Sequence, residues 1–204
     1  MDPIALLSKG GFLMIPLLLL SIFTFGVIIF KIIQFRKIKI LKDDISEELA
    51  ELIKAKKMNK AKDLTSNSDG LCAQVLDSSV DVLLSNKIPN DKKILEIERI
   101  GKHKISSLEQ YMKGLEMVSA TAPLIGLLGT VMGMVTAFGK IAESKSRVDP
   151  SLLAGGIWEA LVTTVGGLLV AIPALIAWYV INSYIEKARN NLENSAQKLY
   201  NVWS

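Results

Sequence analysis

The chain has 204 residues, of which 50% are hydrophobic and 22% are charged, and its formal net charge is +4. A half-apolar composition with the charges gathered in one block excludes an ordinary soluble domain. Residues 31–116 hold 17 basic and 14 acidic side chains, a mixed surface that gives no reason to expect nucleic-acid binding. Cys72 is the only cysteine, which excludes a disulfide framework and a cysteine-based metal site.

Three uncharged stretches, residues 10–30, 117–139 and 160–185, each have 21 or more residues. A helix of that length crosses the hydrocarbon core of a bilayer, which is about 30 Å thick. Glu159 is the only charged residue between positions 150 and 185, so the third span is predicted at 151–185. The pattern predicts an all-α membrane protein with three transmembrane helices and long cytoplasmic helical extensions.

A cluster of cations after the first span sets the predicted orientation. Before any acid appears, this flank carries Lys31, Arg36, Lys37 and Lys39. Cytoplasmic flanks are enriched in Lys and Arg, so the first span is predicted to run inward, and this flank also suits contact with lipid headgroups. A cleaved signal peptide is disfavoured, because the cations follow the apolar core. The predicted segments are a periplasmic N-terminus (1–9), span one (10–30), a cytoplasmic helical domain (31–116), span two (117–139), a periplasmic loop (140–150), span three (151–185) and a cytoplasmic tail (186–204).

The cytoplasmic segment is predicted to be helical throughout. Apolar residues occur at helical spacing in residues 31–62, and the run TSNSDG at 65–70 indicates a turn. A short amphipathic helix is predicted at 71–85, with an inner face made of Leu71, Val75, Val80 and Leu83.

Two further helices are predicted to lead into the membrane. Beyond Pro89, apolar residues three and four apart predict one long helix from about 91 to 140. Asp149 and Pro150 form a favourable N-cap and N1 pair at the start of the third spanning helix. No segment has the alternating pattern of a β-strand.

Small residues recur every three or four positions along the second span, at Ala122, Gly126, Gly129, Gly133 and Ala137. Gly129 and Gly133 have the GxxxG spacing that lets transmembrane helices pack closely. In the third span Gly166 permits close contact, and Pro173 frees a backbone carbonyl that can line a wet path. We predict that these residues serve helix packing and pore lining.

Glu159 is the most informative polar residue, because a charge inside an apolar segment is costly. Two hypotheses remain open: a functional site facing a bundle interior or watery cavity, or a marker of the membrane surface with the span beginning at Ala160. Thr163 and Thr164 follow it in the same span, and Thr130 lies beside the glycines of the second span. For Thr130, spacing alone leaves an ion pathway and a structural bond to its own helix equally open.

These polar groups include no nucleophile–base pair, metal cluster or phosphate-binding loop. We therefore predict no enzymatic activity and no cofactor. Spans two and three instead offer a sparse polar lining, formed by Thr130, Glu159, Thr163 and Thr164.

The block APLIGLLGTVMGMVTAF, a short loop and the block GGIWEALVTTVGGLLVAIPA closely resemble the ExbB/TolQ proteins, relatives of MotA. The resemblance extends to the three-span layout and the large cytoplasmic insert after span one. By motif position, Thr130 matches the family's pore threonine, Glu159 its intramembrane glutamate and Thr164 the threonine five residues further on. Thr163 stands where many members have alanine, so it is an additional candidate cation ligand and leaves proton or sodium specificity open.

The resemblance implies a motor or stator subunit of the bacterial inner membrane, driven by an ion gradient, with protons the expected ion. Five copies would form a ring whose second and third spans line a pore. An ExbD/TolR-type single-span partner would thread the pore and supply the aspartate that takes up the ion. Force would pass to a TonB- or TolA-type protein. The alternative is a passive oligomeric scaffold that recruits cytoplasmic factors, although a scaffold has no need of Glu159 and the threonines.

Overall fold

The computed structural model describes residues 11–38, 45–85, 87–143 and 150–203. Within these ranges the secondary structure is helical, without a strand, so the predicted all-α fold class is confirmed. The helices in chain order are α1 (Met14–Ile38), α2 (Ser46–Lys54), α3 (Met58–Ser66), α4 (Leu71–Leu84), α5 (Asn90–Glu109), α6 (Met112–Glu143) and α7 (Pro150–Trp203).

Three helical stretches of the described chain are long and apolar enough to cross a membrane. They are Met14–Ile38, Asn90–Ala142 and Leu153–Leu199. Helix α7 begins at Pro150 as predicted, whereas its expected N-cap, Asp149, lies outside the described residues. The prediction of three membrane-spanning helices is therefore confirmed, and the positions at which each span meets the lipid surface stay predictions.

The chain divides into two compact units. The span unit comprises Met1–Ile29 and Tyr111–Tyr179, and the insert unit comprises Phe30–Gln110 and Val180–Ser204. In the span unit, α1 buries a narrow stripe that includes Leu17, Thr24 and Val27 and leaves most of its large apolar side chains exposed. This pattern suits a helix that faces lipid on most of its circumference.

The insert unit has a hydrophobic core of its own. The core side chains come from α2 to α5 and from the end of α7: Leu49, Ile53, Ala61, Leu76, Val80, Val82, Leu83, Ile97 and Leu199. The four residues predicted to form the inner face of α4 are all buried. Helix α4 lies at the predicted position because its apolar side chains repeat at the helical period and Gly70, with φ of 125°, ends the preceding turn.

The segment predicted as helical at 31–62 is divided in the structure. Helix α2 ends in a Schellman turn, in which Lys57 N donates to Leu52 O (2.9 Å) and Lys56 N donates to Ile53 O (2.9 Å). Lys56 takes the left-handed conformation, with φ of 56°, that glycine usually supplies at this position. The apolar spacing gave no sign of this stop, because a lysine replaces the usual glycine signal.

A polar cluster joins α3 to α4. The Asp77 Oδ1 atom accepts hydrogen bonds from Thr65 Oγ1 (2.7 Å) and Ser66 Oγ (3.0 Å) and pairs with Lys62 Nζ (3.0 Å). Lys62 also pairs with Asp81 (2.7 Å). Partial burial would by itself raise the pKa of Asp77, but the hydrogen bonds from Thr65, Lys62 and Ser66, together with the lysine charge, outweigh it and lower that pKa.

The prediction of one helix from about 91 to 140 is wrong, because the backbone breaks between α5 and α6. Gln110 is extended, with ψ of 133°, and Tyr111 is left-handed, with φ of 67°. No glycine or proline occupies the break, so the sequence carries no local signal for it.

Side chains of the insert unit satisfy the carbonyl groups at the end of α5. Lys31 Nζ, on a fully buried residue of α1, donates to Leu108 O (2.7 Å), and Gln34 Nε2 donates to Ser107 O (3.3 Å). Arg189 of α7 forms an ion pair with Glu109. These tertiary contacts stabilise the end of α5 and explain why the helix stops there.

Candidate functional site

Helices α6 and α7 pack through small residues within the span unit. A Cβ atom placed on Gly129 would lie 2.3 Å from Thr163 Cγ2, and one placed on Gly133 would lie 2.9 Å from Ala160 Cβ. A Cβ atom on Gly167 would lie 2.6 Å from the Ala122 carbonyl oxygen. Residue numbers rise along α6 as they fall along α7, so the two helices are antiparallel. Their glycines let the backbones approach more closely than any side chain would allow.

The two adjacent threonines of α7 take different positions at this contact. Thr163 is 2% exposed, its methyl group lies against Gly129, and its hydroxyl donates to Glu159 O of the same helix (3.1 Å). Thr164 is half-buried, and its hydroxyl donates across the contact to Gly126 O (3.0 Å). The hydroxyl of Thr164 therefore links the two helices, whereas that of Thr163 bonds within its own helix.

Thr130 lies one residue from the glycine that contacts Thr163. Its side chain is half-buried and its hydroxyl donates to Leu127 O of the same helix (2.7 Å). Beside it an open apolar depression is lined by Val131, Met134, Val135 and Phe138. The sequence left open a bond from Thr130 to the carbonyl four residues earlier, that of Gly126, but the hydroxyl bonds three residues back and Gly126 O accepts from Thr164. The Thr130 hydroxyl lies at the edge of a surface that the described part of the chain does not cover.

The Glu159 side chain is exposed on the isolated chain and lies beside the start of α1. Its Oε1 atom is 2.8 Å from the position of a Cβ atom on Gly11. Gly11 immediately precedes the first turn of α1, so the carboxylate is level with one end of the first apolar helix. The carboxylate therefore lies where the start of α1 meets α7.

Residues that helical spacing places on one side of α7, Glu159, Thr163 and Gly166, face two different neighbours. Gly166 faces α1, because a Cβ atom there would lie 3.1 Å from Met14 Sδ and 3.6 Å from Leu17 Cδ1. Glu159 also lies on the α1 side, whereas Thr163 faces α6. Pro173 is half-buried inside α7, which continues through it without interruption.

Thr24 of α1 is a polar residue that the sequence analysis missed. It is 1% exposed, and its hydroxyl has no hydrogen-bond partner within the described part of the chain. Leu17 of α1 contacts Gly166 of α7. Thr24 lies seven residues after Leu17, and Pro173 lies seven residues after Gly166 along these parallel helices. The two are therefore at the same level. The sequence signal that could have identified Thr24 is a hydroxyl group inside an apolar span.

The chain is similar to known bacterial biopolymer transport proteins. The profile of the MotA/TolQ/ExbB proton channel family matches residues 67–194. An ExbB-like biopolymer transport protein of Synechocystis is 30% identical over 178 residues, which cover 86% of this chain and 68% of that protein. The biopolymer transport protein ExbB of Neisseria gonorrhoeae is 34% identical over 118 residues, covering 57% of this chain and 53% of the relative.

A third relative matches a shorter region. The biopolymer transport protein exbB1 of Vibrio cholerae is 33% identical over 89 residues, covering 44% of this chain and 39% of that protein. Among these three relatives the matched share of the relative's length thus ranges from about two fifths to about two thirds. The family profile contains all of α6 and the part of α7 that carries Glu159, Thr163 and Thr164.

Proposed function

Because the chain belongs to the MotA/TolQ/ExbB proton channel family, we propose that it is a multi-pass subunit of the bacterial inner membrane that converts an ion gradient into mechanical work. Protons are the expected ion, and the work energises an envelope or transport process. The observation that carries this proposal is the family match over residues 67–194, which contains Thr130, Glu159, Thr163 and Thr164.

In the proposed mechanism the α6–α7 pair forms a rigid surface that carries the hydroxyl groups of Thr130 and Thr164. A hydroxyl both donates and accepts hydrogen bonds, so Thr130 and Thr164 can hold a water or a protonated carboxyl while an ion passes. The hydrogen bond from Thr164 to Gly126 O holds the two helices at the distance that keeps these groups in place. Glu159, beside the start of α1, attracts cations towards these hydroxyl groups.

The proposed assembly is a homopentamer around the helices of an ExbD/TolR-type partner. Helices α6 and α7 leave large apolar side chains exposed away from their mutual contact, among them Leu127, Val135, Leu161 and Leu169. Such surfaces suit contact with lipid, neighbouring copies or a partner helix. The partner would supply the aspartate that binds the ion and would pass force to a TonB- or TolA-type protein.

The test is ion flux through the chain reconstituted in liposomes with a single-span, aspartate-bearing protein from the same genome. Thr130→Val keeps the shape and removes the hydroxyl, and we expect it to abolish proton uptake driven by an applied potential. Thr136→Val is the matched control, because Thr136 also bonds to its own helix, at Met132 O (2.9 Å). Equal uptake by the two variants would refute a role for the Thr130 hydroxyl.

Glu159→Gln and Glu159→Ala separate a titrating group from a packing group. If the carboxylate takes part in ion access, Gln should reduce proton uptake nearly as much as Ala while the complex remains assembled. If it only braces the ring, Gln should be close to normal and Ala should weaken assembly, which native mass spectrometry would detect. Full uptake by both variants would exclude a role for this residue in conduction.

The proposed orientation is tested by labelling single cysteines in a variant that lacks Cys72. Cysteines at positions 8 and 146 should react with an impermeant reagent added from the periplasmic side, and those at positions 68 and 204 should not. The opposite pattern would overturn the orientation argued from the cations after span one. A passive scaffold, the alternative function, would show the same topology and assembly but no ion uptake in any variant.

A further inference from the structure

The structure places two constraints on the residue at position 11. Its φ of +66° lies in the left-handed region, and its carbonyl accepts the hydrogen bond from Met14 N (3.2 Å) that opens the first turn of α1. A Cβ atom there would lie 2.8 Å from Glu159 Oε1 and 3.9 Å from Glu159 Cδ. The carboxylate thus occupies the space that any side chain at position 11 would need.

The backbone and the space impose two separate requirements. Asparagine tolerates a left-handed backbone well enough to replace glycine in many turns, so the backbone alone does not demand glycine. The space constrains the Glu159 side chain instead, because a carbon and an oxygen atom 2.8 Å apart overlap and the far end of this flexible side chain is the part that moves. The Glu159 carboxylate can move only by leaving its present position or its side-chain rotamer.

Helix α1 is fixed against α7 immediately beyond this point. Met14 Sδ and Leu17 Cδ1 both contact the site of Gly166, seven residues after Glu159 along α7. The first turn of α1 therefore cannot swing away freely to relieve an overlap at Gly11, and the displacement falls on the carboxylate.

We propose that Gly11 is a positioning residue for Glu159: the bare backbone at the start of α1 leaves a space, here called the seat, that sets where the Glu159 carboxylate lies. The inference rests on the proposed function, in which Glu159 takes part in ion access. It gives span one a part in the site, beyond anchoring the chain in lipid.

The experiment measures the position of the carboxylate directly, by the rate at which a membrane-soluble carbodiimide labels Glu159 in the assembled full-length protein, read by peptide mass spectrometry. Gly11→Ala and Gly11→Asn should both speed labelling about fivefold or more, because the displaced carboxylate no longer lies against the backbone of Gly11. Gly26→Ala is the matched control in the same helix, since no heavy atom of the described neighbours lies within 4 Å of its Cβ position. It should label at the unmodified rate.

A change in Gly11→Ala without a change in Gly11→Asn would show a backbone effect and overturn the proposal, as would unchanged or slower labelling in both. If Gly11→Ala fails to assemble, Glu159→Asp is added, because its shorter side chain withdraws the carboxylate from the seat. Restored assembly supports the contact, and continued failure refutes it.

Proton uptake, measured on the same preparations, distinguishes a failure of the Gly11 contact from a failure of the proposed function of Glu159. Altered labelling with normal uptake would support the seat and remove Glu159 from the proposed function. Reduced uptake with unaltered labelling would refute the seat.

Discussion

Gly167→Ala tests how closely α6 and α7 must approach. The Cβ atom of the alanine would lie 2.6 Å from the backbone oxygen of Ala122 and 3.1 Å from Gly126 Cα. Both contacts are to backbone atoms, so no side-chain rotation relieves them. The helices must separate.

The required separation follows from the same distances. An ordinary contact begins near 3.4 Å, so the helices would move apart by about 0.8 Å, the difference between 3.4 and 2.6 Å. A separation of about 0.8 Å along the hydrogen bond from Thr164 Oγ1 to Gly126 O would lengthen it from 3.0 Å beyond the limit for such a bond. Overpacking costs about 1–3 kcal/mol and a transmembrane hydrogen bond about 0.6 kcal/mol, so we expect the free energy of unfolding to fall by about 1.6–3.6 kcal/mol.

The assay is unfolding in mixed micelles with increasing sodium dodecyl sulfate, followed by tryptophan fluorescence. Gly139→Ala is the matched control, because it lies in the same antiparallel pair of helices and nothing described lies within 4 Å of its Cβ position. Both variants change glycine to alanine inside a helix, so the gain in helix propensity cancels in the comparison. A difference below about 0.5 kcal/mol between the two would refute the packing argument, since unspecific substitutions fall within that range.

Three further variants test single features of the two units. Lys31→Met leaves the Leu108 carbonyl without its donor, so the amides of residues 105–109 should exchange hydrogen faster in mass spectrometry, and unchanged exchange would contradict a role in ending α5. Thr24→Val keeps the shape and removes an unpaired hydroxyl, so the free energy of unfolding should rise, by up to about 1–3 kcal/mol in the same micelle titration, and a fall would contradict the absence of a partner. Asp77 has a lowered pKa in the folded protein, so the stability it contributes is present at neutral pH and is lost as the pH falls below about 4. Asp77→Asn should therefore reduce the drop in melting temperature between about pH 7 and about pH 3.5, and an unchanged drop would refute the assignment.

Local pattern was sufficient for the elements whose cause is local. The length of each uncharged stretch predicted three spanning helices, because a bilayer accepts only segments whose backbone groups are satisfied internally. Apolar residues at the helical period predicted α4 with its buried face, and Pro150 marked the first residue of α7. Regular spacing of small residues predicted that another helix can approach span two closely, and Gly129 lies against Thr163 of α7.

The candidate site was predicted residue by residue but not in its arrangement. Motif resemblance singled out Thr130, Glu159 and Thr164, whereas the division of α7 between two neighbours could not be read from its own sequence. A helical period states which residues share a face, but not which helix packs on that face. Glu159 therefore lies beside Gly11, and Thr163 lies beside α6.

The sequence by itself determined the class of the protein, because membrane solvation acts on each segment separately and the family motif is contiguous. Only the tertiary structure decided the break after α5, where the signal is a lysine 77 residues away that donates to Leu108 O. Only the tertiary structure likewise brought Gly11 to the Glu159 carboxylate, since a glycine gives no pattern until its neighbour in space is known. In both cases the cause is a contact between residues distant in the chain, which no local periodicity encodes.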